Sequence, residues 1–281
     1  MNKLIITADD YGMSVSVNEA IDAGISAGII TSTNVMTNMP HYTEASKLKE
    51  LPDISVGIHW TLSCGKPVLS PQEIPTLVNQ QGEFYKYPDF RKRYRKKLIK
   101  DDDIKKELIA QYSLFEEVYG EADYWNAHQN VHVDFRIYKL FVEVAKHLGI
   151  DKMRSHQRIY VPESANDARQ PLLWRLIEPF KSRLLNNWQC NAHKQGIKSP
   201  DGLIVCLNNS DVNKLEYTFS HICWGKNKIG EYVIHPATKC DSPYFGKIVD
   251  QRIKEFEMFS DKRTLEIFKN NNIQLIDYKK I

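Results

Sequence analysis

Leu4-Ile5-Ile6-Thr7-Ala8-Asp9-Asp10-Tyr11-Gly12 is the stretch on which the reading of this chain turns. The apolar, β-branched run Leu4–Thr7 reads as a buried strand. Two carboxylates follow where that strand stops, and in α/β folds the carboxyl end of a strand is where ligands bind. Adjacent carboxylates in one partly buried place repel each other, and a bound cation or a shared proton relieves the repulsion. Capping of the next helix by Asp9 or Asp10 is the plainer alternative. It accounts for one of the two residues, not both.

Outward from this strand the pattern alternates. Val17–Ala27 has helical periodicity and ends at Gly28, Ser32–Met36 is a short strand, Tyr42–Leu51 a helix stopped by Pro52, and Ser55–His59 a third strand containing Gly57. Residues 64–95 break the rhythm with Gly65, Pro67, Pro71, Pro75, Gly82 and Pro88, and read as a lid, a binding loop or a disordered stretch. Helix Asp101–Tyr119, strand Tyr124–Ala127, helix Phe135–Leu148 and a short strand Lys152–Arg154 follow. After an irregular stretch at 156–170 come helix Leu172–Leu185, strand Gly202–Leu207, helix Val212–His221, strand Glu231–His235, helices Tyr244–Ser260 and Leu265–Asn270, and strand Ile273–Leu275. Strands alternating with helices from end to end predict a mostly parallel sheet. Seven or eight of them suit one domain over 1–281, an α/β chain folded as an irregular TIM-like (β/α) barrel, with an open doubly wound sheet as runner-up.

Composition narrows the partners. Lys and Arg number 38 against 35 Asp and Glu, a net charge of +3 that gives no reason to expect nucleic acid or a membrane surface. The basic run Arg91–Lys97 is followed at once by Asp101-Asp102-Asp103, as on a solvated surface. No secretion signal is visible and no apolar run approaches the ~18 residues of a bilayer span. Five cysteines without CxxC spacing read as reduced thiols of a cytoplasmic protein, with Cys206 a small core residue. GxGxxG and GxxxxGK[ST] motifs are missing, which removes the phosphate-cradling loops of nucleotide folds.

Three of the nine histidines sit where the first strand has its aspartates: His59, His128 and His235 each close a predicted strand. In a parallel sheet these ends converge on one face. Carboxylate and neutral imidazole together suit a divalent cation such as Zn²⁺, Mg²⁺ or Mn²⁺, and three protein ligands leave a place for water. Such a water becomes a nucleophile near neutral pH, the second carboxylate is placed as general base, and a neighbouring histidine as general acid. His128 and His132 have the i, i+4 spacing of a helical ligand pair, although Asn126–Val133 reads as strand end and loop. Trp60, Tyr85 and Tyr87 are aromatic faces on which a sugar could stack, with ordinary packing as the alternative.

Taken together, Leu4–Gly12, Gly28–Thr33, Gly57-Ile58-His59, the segment His128–His132, Arg154 and Ile234-His235-Pro236 resemble the YdjC-like carbohydrate deacetylases, the group that includes chitooligosaccharide deacetylase. The resemblance runs over most of the chain. It implies an irregular TIM-like barrel, one divalent metal ion (Mg²⁺ or Zn²⁺), removal of N-acetyl groups from acetylated sugars, and a homodimer. By the same resemblance Asp10, His59 and His128 would hold the metal and Asp9 would be the general base. His235 would protonate the leaving amine and Arg154 would steady the site or substrate; apart from the resemblance, His132 and Trp60 are read as residues that bind substrate or support the ligands. Two positions depart from the family pattern: Asn126 stands where an Asp is usual two residues before the ligand histidine, and Asn130 where a His is usual. The segment 186–228 is longer than in compact members.

Three other functions compete, of which a two-carboxylate glycosidase leaves the three histidines unexplained. A phosphoesterase on the same scaffold needs several Arg or Lys converging near the metal, and Arg154 is the only obvious one. A non-catalytic sugar-binding barrel has no use for a second carboxylate beside the metal, so Asp9 tells the two apart.

Overall fold

The computed structural model of the protein describes residues 1–51, 53–161, 172–205 and 211–281. Pro52, residues 162–170 of the irregular stretch, and Cys206 with Leu207 at the end of a predicted strand lie outside the described residues.

The strands are β1 (Asn2–Tyr11), β2 (Ser32–Val35), β3 (Ser55–Trp60), β4 (Trp125–Ala127), β5 (Arg158–Tyr160), β6 (Gly202–Val205), β7 (Ile229–Ile234) and β8 (Ile273–Leu275). They hydrogen-bond in the order β4-β3-β2-β1-β7-β6-β5, and every pairing is parallel. β8 pairs with Asn2–Leu4 of β1. The ends of the path meet: Trp125 bridges Met153, just upstream of β5, through Trp125 N–H to Lys152 O (3.0 Å) and Arg154 N–H to Trp125 O (3.2 Å). The sheet is therefore a curled, all-parallel, irregular barrel. The predicted strand at Lys152–Arg154 is reduced to two bridges, Met153 to Trp125 and Lys152 to Lys198, and the regular pairing begins at Arg158.

β1 is buried from Leu4 through Tyr11 without alternation. A parallel strand covered on both faces requires this, which is why Leu4-Ile5-Ile6 is continuous rather than alternating. The helices are α1 (Val15–Ser26), α2 (Tyr87–Arg95), α3 (Asp101–Val118), α4 (Phe135–His147), α5 (Leu172–Lys194), α6 (Val212–His221), α7 (Val249–Phe259) and α8 (Arg263–Asn270). α1, α3 and α8 pack on β1, β3 and β8, and α7 packs on α1. α5 runs to Lys194, nine residues past the predicted Leu185. None of the described helices is long and apolar enough to cross a membrane.

The helix predicted over Tyr42–Leu51 is a 3₁₀ helix, Tyr42–Glu50. Its two buried residues, Ala45 and Leu48, are three apart, and in a 3₁₀ helix such positions eclipse onto one face. The segment 64–95 is packed: Ile74, Leu77, Phe84, Phe90 and Tyr94 are buried and α2 lies within it. α3 anchors it, because Glu107 accepts from Val68 N–H and Leu69 N–H (2.9 and 3.1 Å) and Asp103 accepts from Thr76 N–H and Oγ (3.0 and 2.7 Å). Pro and Gly density masked this in the sequence; the anchoring residues belong to the following helix.

Candidate active site

The site begins with an irregularity in β1. Ala8 pairs with Thr33, but Tyr11 pairs with Val35, so β1 carries one residue more than β2 across this interval. Asp10 absorbs the bulge at φ 76°, a left-handed conformation that Asp tolerates better than most residues. In a regular strand adjacent side chains point to opposite faces. Here the bulge lets Asp9 and Asp10 serve one site from two directions. Gly12 completes the turn at φ 97°, where a Cβ would lie 3.0 Å from Tyr42 Cα. Neither aspartate caps α1, since Ser14 does so, accepting from Val17 N–H at 3.3 Å.

Asp10 lies fully buried between two histidines from neighbouring strand ends. Its Oδ1 is 3.3 Å from His59 Nε2 and 3.0 Å from His128 Nδ1. One ligand atom from each of the three residues lies within 4.8 Å of the others. Gly57 makes the approach of β3 and β4 possible, because a Cβ there would fall 2.7 Å from Tyr124. Gln111 of α3 then pins the chain just past His59, pairing with both backbone polar groups of Thr61 (2.9 and 2.7 Å). The second Asp10 oxygen is taken by Arg252 of α7, whose NH2 donates at 2.5 Å. Burial disfavours the Asp10 anion, but Arg252 and His128 outweigh it and hold the carboxyl well below the usual range. For His128 burial opposes protonation and Asp10 reverses the balance, raising the imidazole to about 9.

Asp9 has a different partner. Arg154 grips it with two hydrogen bonds, NH1 to Oδ2 (2.7 Å) and NH2 to Oδ1 (2.6 Å), while Asn34 Nδ2 donates to Oδ1 (2.6 Å). Burial opposes ionisation of Asp9, and Arg154 overcomes it, keeping the carboxyl well below its ordinary value. Arg154 Nε donates to Glu231 of β7 (3.1 Å), which also accepts from Thr7 Oγ and Tyr278 OH (both 2.8 Å). His235 Nε2 stands 3.8 Å from Asp9 Oδ2 with 32% of its side chain exposed. Three buried carboxylates (Asp9, Asp10, Glu231) thus face two guanidiniums (Arg154, Arg252), and the cluster keeps one negative charge when its histidines are neutral. A carboxylate oxygen and two imidazole nitrogens in a site of that sign fit a divalent cation.

The structure therefore brings Asp9, Asp10, His59, His128, Arg154 and His235 together. His132 turns away: Gln129 and Asn130 both adopt positive φ (53° and 52°), and the chain reverses after His128. His132 is wholly buried against His156 (ring centroids 4.8 Å), Trp125 and Phe141. Trp60 offers no face to a sugar, because it is fully buried, packs on Trp125 and Phe141, and donates from Nε1 to Leu108 O (3.0 Å). Tyr85 and Tyr87 are half-buried beneath Arg93 and Arg91. Arg252, Glu231 and Asn34 escaped the sequence reading. The available signal was a charge on a core-facing position: Arg252 and Glu255 continue the buried stripe of Met258 and Phe259, and Glu231 lies inside a strand.

A family model described as YdjC-like protein matches residues 3–270. The chain belongs to the YdjC-like family. A carbohydrate deacetylase of Thermoanaerobacter pseudethanolicus is 29% identical over 99% of this chain and 98% of its own length. Another from Clostridium beijerinckii is 28% identical over 99% of this chain and 100% of its own. A chitooligosaccharide deacetylase of Proteus mirabilis is 37% identical over 51% of this chain and 55% of its own length. Among solved structures, an Enterococcus faecalis protein named for a proposed role in cellobiose-phosphate cleavage superposes with a TM-score of 0.76 at 21% identity, over 100% of this chain and 99% of that one. That likeness shows that the two chains share a fold along their whole length.

Proposed function

We propose that this YdjC-like protein is a divalent-metal-dependent deacetylase that removes N-acetyl groups from acetylated carbohydrates such as chitooligosaccharides. The observation that carries the reading is the division of labour between neighbours: Asp10 shared by His59 and His128, Asp9 gripped by Arg154. Two relatives named carbohydrate deacetylases, aligned over nearly their full lengths, support it.

Asp10, His59 and His128 would hold the ion, Mg²⁺ or Zn²⁺, which supplies Lewis acidity toward the acetamide carbonyl and makes water acidic enough to attack. Asp9, ionised through neutral pH, accepts the proton of the attacking water. Arg154 fixes the direction of both Asp9 oxygens and, being tied to Glu231, does not swing with substrate. His235, partly open to solvent beside Asp9, gives a proton to the departing sugar amine as acetate leaves. A phosphoester substrate is disfavoured because Arg154 and Arg252 are already paired with carboxylates. The same proposal places a homodimer in the cytoplasm, where Cys64, Cys190, Cys223 and Cys240, free in the structure, stay reduced; sedimentation and fractionation check both.

The test is acetate release from diacetylchitobiose by metal-replenished protein, with Asp9→Asn alongside. Acetate from the wild type alone supports the base assignment. Silence from both, with an ion bound, removes the deacetylase reading for this substrate and favours a sugar-binding barrel.

A further inference from the structure

Asn126, at the centre of β4, touches both halves of the site, and its amide can face two ways. In one orientation its oxygen accepts from His59 Nδ1–H, and its NH₂ is left against the Arg154 donors, reaching only Asp9 Oδ1 at 3.5 Å. In the other its oxygen accepts from Arg154 NH1 (2.9 Å), Arg154 NH2 (2.8 Å) and Asn34 Nδ2 (3.1 Å), and its NH₂ donates to His59 Nδ1. Only the second sets donor to acceptor at His59, Arg154 and Asn34, leaving the amide oxygen 3.5 Å from Asp9 Oδ1, and in a fully buried site an amide facing donors is costly.

We infer that Asn126 is a positioning residue that opposes metal uptake by locking His59 in the wrong tautomer. This rests on the proposed metal site. When Asn126 donates to Nδ1, the His59 proton sits on Nε2 and points at Asp10 Oδ1, 3.3 Å away. Ligation through Nε2 needs that lone pair free, so the proton must move to Nδ1 and find an acceptor there. Asn126 supplies one only by turning over, which sets its NH₂ against Arg154 and Asn34. A carboxylate at this position has no such conflict, since it accepts from His59 Nδ1–H and from Arg154 together.

Mn²⁺ binding by metal-stripped wild type and Asn126→Asp, followed calorimetrically at pH 8.5, tests this without reference to turnover. The variant is expected to bind about 10- to 100-fold more tightly, the range typical of residues that orient a metal-ligating histidine. In parallel, ¹⁵N spectra of the wild type should show His59 protonated on Nε2 without metal and on Nδ1 after Zn²⁺ addition. Equal or weaker Mn²⁺ affinity in a folded variant overturns the inference, as does an Nδ1–H in the metal-free wild type. Should Asn126→Asp not fold, the wild-type spectra decide alone. Absence of binding in both proteins, with His59 still carrying Nε2–H, refutes the metal site itself and the inference with it.

Discussion

Two pairs of buried histidines lie side by side in this protein and behave in opposite ways. His59 and His128 meet edge to face with ring centroids 5.5 Å apart, and His132 and His156 meet at 4.8 Å. Burial is similar, at 2% and 8% exposed for the first pair and 0% and 8% for the second. The first pair shares Asp10, and its charge raises His128 to about 9. Among the described residues no carboxylate acts on the second pair, and it lies near Arg154. Burial first and Arg154 after it lower His156 to about 4, while burial and His156 drive His132 further down. Among the described residues, neither His132 ring nitrogen has a hydrogen-bond partner. Histidines four residues apart in sequence are thus divided between the proposed metal site and a core without a described counter-charge, and Asp10 makes the difference.

The largest disturbance comes from removing that carboxylate. Asp10→Asn should weaken Mn²⁺ binding at least about a thousandfold, ~4 kcal/mol, measured by titration calorimetry. It should also leave the Arg252 charge without its buried counter-ion, lowering the urea midpoint. Unchanged Mn²⁺ affinity would falsify the assignment of the first pair.

Next in size is the acid sensitivity of the second pair. The unfolded chain takes up a proton on His156 near pH 6.5 and the folded chain only near 4. Stability is therefore full above about 6.5 and falls as the pH drops toward 4, by roughly 3 kcal/mol. Urea unfolding at pH 7 and 4.5 should show a loss in the wild type, of which His156→Gln removes the His156 share while that of His132 remains. An identical slope in both proteins would place the acid sensitivity elsewhere.

His128 predicts a pH dependence of the same sense, in metal binding rather than in stability. Below about 9 the metal-free imidazole holds a proton that the ion must displace, so Mn²⁺ affinity should rise about tenfold per pH unit and level off above 9. Calorimetry at pH 7, 8 and 9 reads the slope directly. Smallest of all, His132→Leu replaces a ring with no partner by an apolar side chain and should shift stability by under ~1 kcal/mol, leaving Mn²⁺ affinity alone. A loss of several kcal/mol would show that the His132 nitrogens are satisfied by something bound.

Much of this was legible before any coordinates. Leu4-Ile5-Ile6 announced a two-face-buried strand, and Asp9, Asp10, His59, His128 and His235 stood at strand ends, as parallel alternation requires. His132 and Trp60 misled for a physical reason. Residue spacing cannot reveal that Gln129 and Asn130 turn left-handed, nor that Trp60 beside His59 faces the core. Arg252 lies 242 residues from Asp10, and only the packing of α7 brings them into contact.

By itself the sequence determined the parallel barrel and the residue types gathered on one of its faces, because burial periodicity and strand–helix alternation are local properties. Tertiary structure alone decided that Asp10 lies between His59 and His128 and that Arg154 grips Asp9. It decided too that α7 supplies a counter-charge and that two further histidines stay neutral. Those outcomes depend on a one-residue bulge and on contacts between distant segments, where direction and distance set the charge of a buried group.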